Sequence, residues 1–151
     1  MSAGWTARMQ RVRALALVVP ALVVGAPLGL ALAAAVKVED GGPVFFRQTR
    51  PGRDGAPFSI LKFRSLGTHP HDPNRPDLVA TRVGGWMRRW GIDELPQRWN
   101  VLRGEMSLVG PRPVLFGESG RYDAEQRLRL TVRPGLTGWA QIHGRNALTW
   151  Q

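Results

Sequence analysis

Two adjacent carboxylates, Asp93 and Glu94, stand out in a chain that carries 21 lysines and arginines against 11 acids. They open the stretch GIDELPQRWNVLRGEMSLVGPRP, which runs from Gly91 to Pro113. It also holds a third acid, Glu105, and an arginine, Arg112, clamped between Pro111 and Pro113. Acid and base this close together fit either a metal and phosphate site or a salt-bridged helix. Leu95, Trp99 and Leu102 recur at helical spacing around Pro96, which predicts a short helix ending at Gly104. Asp93 and Glu94 then sit at its N-terminus, where free N–H groups and the helix dipole favour negative charge. Both acids are expected to stay ionised at neutral pH, which suits a nucleophile or metal ligand and not a general acid. Helix capping by Asp93, worth about 1 kcal/mol, needs only one acid. It leaves Glu94, Glu105 and Arg112 unexplained. Arginine's planar fork matches phosphate oxygens, and the two prolines hold its backbone ready.

The elements that must position these groups are legible on both sides. Val44–Thr49 and Phe58–Phe63 read as strands of a hairpin, joined by the turn dipeptides Pro51-Gly52 and Asp54-Gly55. Arg47, Arg50, Arg53, Lys62 and Arg64 line it. It is either a solvated hairpin with one apolar face on the core, or a basic surface facing phosphate or membrane. Residues 67–77, GTHPHDPNRPD, read as a loop. His69, His71 and Asp72 in it are better read as polar loop residues than as ligands, because a metal site needs rigid support. Thr81–Trp90 reads as an amphipathic helix through Val83, Trp86, Met87 and Trp90, with Arg82, Arg88 and Arg89 beside them. A membrane-interface helix, a core helix and a base-stacking basic surface all fit it. Arg121–Arg129 reads as a charged, solvated helix. Arg133–Asn146 reads as a Gly-rich loop whose glycines permit close backbone approach to a ligand. It matches no mononucleotide or dinucleotide fingerprint.

The N-terminal third is different. Arg8, Arg11 and Arg13 precede an uncharged run from Ala14 to Val36, 23 residues of Ala, Leu, Val, Gly and Pro. That exceeds the roughly 20 apolar residues a membrane helix needs. A cleaved signal ending near Leu32-Ala33-Ala34-Ala35, a plain span and a re-entrant helix all fit. Pro20 and Pro27 favour the last, since each removes a donor and blocks a carbonyl one turn back. Basic residues on both flanks lack the one-sided bias of a plain span. The net charge of +10 calls for an anionic partner: lipid headgroups, a phosphorylated substrate or nucleic acid. The absence of cysteine excludes disulfides, thiolate metal sites and a cysteine nucleophile.

Five segments taken together become specific: Pro43-Val44-Phe45-Phe46-Arg47-Gln48, Lys62-Phe63-Arg64-Ser65, Asp93-Glu94-Leu95-Pro96-Gln97, Gly110-Pro111-Arg112-Pro113 and Arg133-Pro134-Gly135-Leu136-Thr137-Gly138-Trp139-Ala140-Gln141. In this order, from about Arg13 to the last residue, the chain resembles the bacterial sugar transferases, the monotopic phosphoglycosyl transferases. The resemblance implies transfer of a sugar-1-phosphate from a UDP-sugar to polyprenyl (undecaprenyl) phosphate with release of UMP, at the start of surface-glycan or exopolysaccharide assembly. It implies that Asp93 is the nucleophile of an aspartyl-phosphosugar intermediate and that Glu94 holds Mg²⁺, with Glu105 a second candidate ligand. It implies that Lys62, Arg88, Arg112 and Arg133 bind phosphate or substrate. It also implies a re-entrant membrane helix broken at Pro27, on the cytoplasmic face of the bacterial plasma membrane, with anionic phospholipid as partner, a homodimer as one assembly and no nucleic acid.

The expected fold is α+β. A basic N-terminus and re-entrant helix (residues 1–38) lead into a catalytic domain (39–151) of a small β-hairpin and short amphipathic helices. Ala14, Ala26 and Gly91 stand where the family pattern more often has Asp, Ser and Ser or Thr. The family pattern also continues past Gln151, so a shortened chain is expected, with a degenerate, non-catalytic basic module binding membrane or nucleic acid as the alternative reading.

Overall fold

The computed structural model describes residues 3–67 and 79–142. The histidines of the 67–77 loop and residues 143–146 of the Gly-rich stretch lie outside them. The described chain is mixed helix and sheet, with a long apolar helix followed by short elements. Helix α1 (Ala3–Asp40) is followed by strands β1 (Phe45–Pro51) and β2 (Pro57–Phe63), then α2 (Arg82–Trp90) and α3 (Gln97–Arg103). Strand β3 (Ser107–Val109), helices α4 (Phe116–Ser119) and α5 (Ala124–Arg127), strand β4 (Gly135–Thr137) and α6 (Trp139–Ile142) complete it. α1 stays helical through both Pro20 and Pro27. It is the one helix among the described residues long and apolar enough to cross a membrane.

The chain forms two compact units. One comprises Ala21–Arg47 and Leu61–Gln97. Its core joins Leu32 and Val36 of α1, Phe63 of β2 and Met87 of α2, with Val44, Val83, Ile92 and Leu95 packed against them. Two features bring α2 onto the end of β2. Gly84 lies against the backbone of Ser65, where a Cβ has no room, and Thr81 N–H donates to Ser65 O at 3.1 Å. Thr81 also caps α2, its side chain accepting from Gly84 N–H at 2.9 Å. The helix therefore buries Met87 and leaves Trp86 and Trp90 exposed.

The other unit comprises the chain up to Pro20, Gln48–Ile60, and everything from Arg98 onward. Here the Gly-rich stretch is not only a loop: β4 pairs in parallel with β3, Ser107 opposite Gly135 and Val109 opposite Thr137. Ser107 N–H donates to Pro134 O (2.8 Å), Gly110 N–H to Thr137 O (3.0 Å) and Gly135 N–H to Pro111 O (2.9 Å). A Cβ on Gly110, Gly135 or Gly138 would strike the backbone of the facing segment. These glycines thus serve approach of backbone to backbone, where the sequence suggested approach to a ligand. The expected single helix over 121–129 is also corrected. Asp123 and Gln126 form a capping box that starts α5 afresh, and a 3-10 turn at Leu128–Thr131 ends it. In the same unit Arg11 donates to the carbonyls of Val101 and, at 2.5 Å, Leu102, satisfying the open end of α3.

Gly135→Ala should destabilise the protein by at least about 1–3 kcal/mol, the cost of overpacking. Chemical denaturation should show a lower midpoint with an unchanged m-value.

Candidate active site

Asp93 and Glu94 lie in a one-turn 3-10 helix, Ile92–Glu94, just before α3. Gly91 makes that turn possible: it ends α2 with φ 69° and ψ 18°, a left-handed conformation that suits glycine. Ile92 and Leu95, on either side of the acid pair, pack against the core. The turn is pinned by its apolar residues while its acids remain partly accessible. The helix predicted to end at Gly104 does so, with Gly104 at φ 82°, but it begins at Gln97, so the acids precede its first turn.

Lys62, at the end of β2, reaches across to this turn. Its Nζ donates to Glu94 Oε1 at 2.7 Å, with both side chains about one-fifth exposed. Asp93 is half-buried beside them, and Lys62, Glu94 and Arg88 of α2 all act on its charge. Burial is the largest influence and pushes the Asp93 carboxyl above the ordinary aspartate range. Lys62 opposes this, Glu94 reinforces it, and Arg88 opposes it. The direction is the reverse of the one expected from a helix N-terminus, because burial and Glu94 together outweigh the groups that favour the anion. Those groups are Lys62, Arg88 and a backbone hydrogen bond to Asp93.

Four of the sequence-predicted residues, Lys62, Arg88, Asp93 and Glu94, therefore meet in one unit. Arg112, Arg133 and Glu105 belong to the other. Arg112 is exposed and lines a small pocket with Arg129 and the prolines 51, 111, 113 and 134. Arg50 is partly buried within its electrostatic range; burial lowers its pKa, Glu118 opposes that, and Arg112 lowers it further. Arg133 is exposed at the entry to β4. Glu105 Oε2 accepts from the buried Asn100 Nδ2 at 2.7 Å, and Asn100 also donates to Ser59 O at 2.7 Å. This ties the end of α3 to the hairpin. Pro27 is exposed within α1.

Among the described residues no three His, Asp or Glu side chains cluster as a ready metal cage. The donor set still fits Mg²⁺, which commonly takes one or two carboxylates and completes its shell with water and substrate phosphates. Sequence reading passed over Glu39, Asp40 and the burial of Arg64. The available signal was two acids in the last turn of a helix, where the dipole disfavours them.

The chain matches the family model described as bacterial sugar transferase over residues 5–151. It belongs to that family. A Bacillus subtilis (strain 168) protein named "Uncharacterized sugar transferase EpsL" is 48% identical over 121 residues, covering 78% of this chain and 60% of that one. A Caulobacter vibrioides protein named UDP-glucose:undecaprenyl-phosphate glucose-1-phosphate transferase is 49% identical, covering 89% of this chain and 54% of that one. An Escherichia coli (strain K12) protein of the same name is 47% identical over 82% of this chain and 28% of its own length. The chain thus spans from about a quarter to three-fifths of these relatives.

Because the folded state raises the Asp93 pKa, folding opposes ionisation there. The resulting cost is present above the folded-state pKa, shrinks as pH falls through it, and is gone below the unfolded value of about 3.9. Asp93→Asn should therefore raise Tm at neutral pH in chelator, and the gain should vanish in acid. Thermal unfolding of both proteins across pH checks it.

Proposed function

We propose that this chain carries the catalytic machinery of a phosphoglycosyl transferase, moving a sugar-1-phosphate from a UDP-sugar to polyprenyl phosphate. The observation that carries the reading is Asp93, half-buried beside the Lys62–Glu94 pair and Arg88, in a chain whose relatives are named for this transfer. An Asp93 carboxylate oxygen attacks the β-phosphorus of the donor. The pyrophosphate P–O bond breaks, and UMP leaves with the electron pair on its phosphate oxygen. The product is a sugar phosphate joined to Asp93 as an acyl phosphate. A phosphate oxygen of the lipid acceptor then attacks that phosphorus and returns the carboxylate. Two displacements replace one difficult transfer.

The chain's own groups fit the charge problem. Lys62 and Arg88 oppose protonation of Asp93 and meet the incoming phosphates. Arg112 and Arg133 supply further phosphate contacts, with Arg112's fork suited to a bidentate one. Glu94, with Glu105 as the second candidate, would hold Mg²⁺; bound there, the ion neutralises phosphate charge and lets an anionic nucleophile approach. We further propose residues 1–38 as the membrane element and 39–151 as the catalytic domain, at the cytoplasmic face of the bacterial plasma membrane. α1 exposes Leu17, Val23, Val24, Leu28 and Leu30, a surface suited to lipid. Its 38 residues amount to about 57 Å of straight helix at 1.5 Å per residue, against a hydrocarbon core of about 30 Å. A re-entrant path that bends at Pro27 accommodates the excess, as proline commonly kinks a helix. The exposed Trp86 and Trp90, with Arg82 and Arg89, suit contact with anionic headgroups. The reaction would begin surface-glycan assembly.

Incubating the full chain in detergent with UDP-sugar and Mg²⁺ should add one sugar phosphate to Asp93, read by intact mass and peptide mapping. Asp93→Ala should abolish the adduct and cut UMP release on the order of 10⁴-fold or more, as loss of a nucleophile does. UMP release that survives Asp93→Ala would rule the mechanism out. Arg112→Lys keeps the charge but loses the fork, and should raise KM for the donor about tenfold.

A further inference from the structure

Glu39 and Asp40 occupy the last turn of α1, the end where the helix dipole opposes negative charge. Each has found positive charge elsewhere in the same unit. Asp40 Oδ2 lies 2.7 Å from Arg64 Nη1, and both side chains are less than one-tenth exposed. Glu39 accepts from the N–H groups of Arg82 (2.6 Å) and Val83 (3.0 Å) at the start of α2. Gly42 completes the arrangement, because any Cβ there would collide with the Arg64 guanidinium.

Arg64 follows β2 directly, and its N–H continues the ladder by donating to Val44 O at 2.8 Å. Strand alternation puts Lys62 and Arg64 on one side and Phe63, in the core, on the other. Fixing Arg64 therefore fixes the strand end that presents Lys62. Glu39 makes a parallel tie to α2, which carries Arg88. We propose that Asp40, acting through Arg64, is a positioning residue: it locks the C-terminal end of α1 to the strand that sets the Lys62–Glu94 pair beside Asp93. A buried ion pair is a costly way to gain stability alone, since desolvation offsets much of the attraction. Its gain here is geometric, joining the apolar helix to the site's cation. The importance of that cation for catalysis rests on the function proposed above; the mechanical link does not.

The test is a double-mutant cycle on thermal stability, with the full chain in detergent and chelator. Lys62→Met, Glu94→Gln and their combination are compared in the wild-type and Asp40→Asn backgrounds. The expected result is coupling between Lys62 and Glu94 in the wild-type background and its loss with Asp40→Asn. A purely stabilising pair would lower every Tm alike and leave the coupling intact, and that result overturns the proposal, as does a wild-type chain without coupling. If Asp40→Asn does not fold, Gly42→Ala, which pushes directly on the Arg64 guanidinium, replaces it with the same two outcomes. A wild-type chain that shows this coupling but releases no UMP would sink the transferase reading and leave the positioning role standing.

Discussion

Shelter from water makes a carboxylate anion costly, and nearby positive charge offsets that cost. That conflict at Asp93 organises the surrounding unit. Burial raises the carboxyl's proton affinity, Glu94 next door raises it further, and Lys62 and Arg88 pull it back. Neither cation can act unless its parent element is fixed. Lys62 depends on the end of β2, and Arg88 on α2. Both elements close on one small core in which Met87 is fully buried. The acid pair is held between Ile92 and Leu95, which pack on that same core.

The second unit solves a different problem with backbone in place of charge. The Pro-Arg-Pro segment and the Arg-Pro-Gly segment are separated by twenty residues or so of short helices, yet they run side by side. Three hydrogen bonds join them, and the lack of side chains on Gly110, Gly135 and Gly138 lets them close. Two arginine-bearing motifs thereby become one rigid edge. Such close approach fixes the backbone around Arg112 and Arg133 while both residues stay exposed.

α1 joins the two kinds of chemistry in one element. Its middle presents aliphatic surface with little polar relief, while its ends are specifically tied. Arg11 reaches the open carbonyls of α3, and Glu39 and Asp40 reach α2 and Arg64. Within its own unit, each polar group at an end of α1 meets a counter-charge or an open helix terminus, which offsets the cost of withdrawing it from water.

Much was determined by the sequence by itself. An uncharged run of 23 residues can be little other than a long apolar helix, and turn dipeptides between β-rich runs specify a hairpin. Gly104 ends its helix because only local conformational preference is at stake. The family resemblance marked Asp93, Glu94, Lys62, Arg88, Arg112 and Arg133, with Glu105 as a further candidate, and the spacing did not tell which of them would share one unit. Three matters lay beyond local pattern. Capping at Asp123 divided a continuous charged stretch, since two reciprocal side-chain hydrogen bonds outweighed composition. The parallel pairing of β3 and β4 needed partners more than twenty residues apart, which no short window reveals. The shift of Asp93 upward, and the burial of Arg64 against Asp40, were decided by tertiary packing alone. Desolvation and ion pairing depend on what the rest of the chain places around a charge, and spacing along the sequence carries no record of that surrounding.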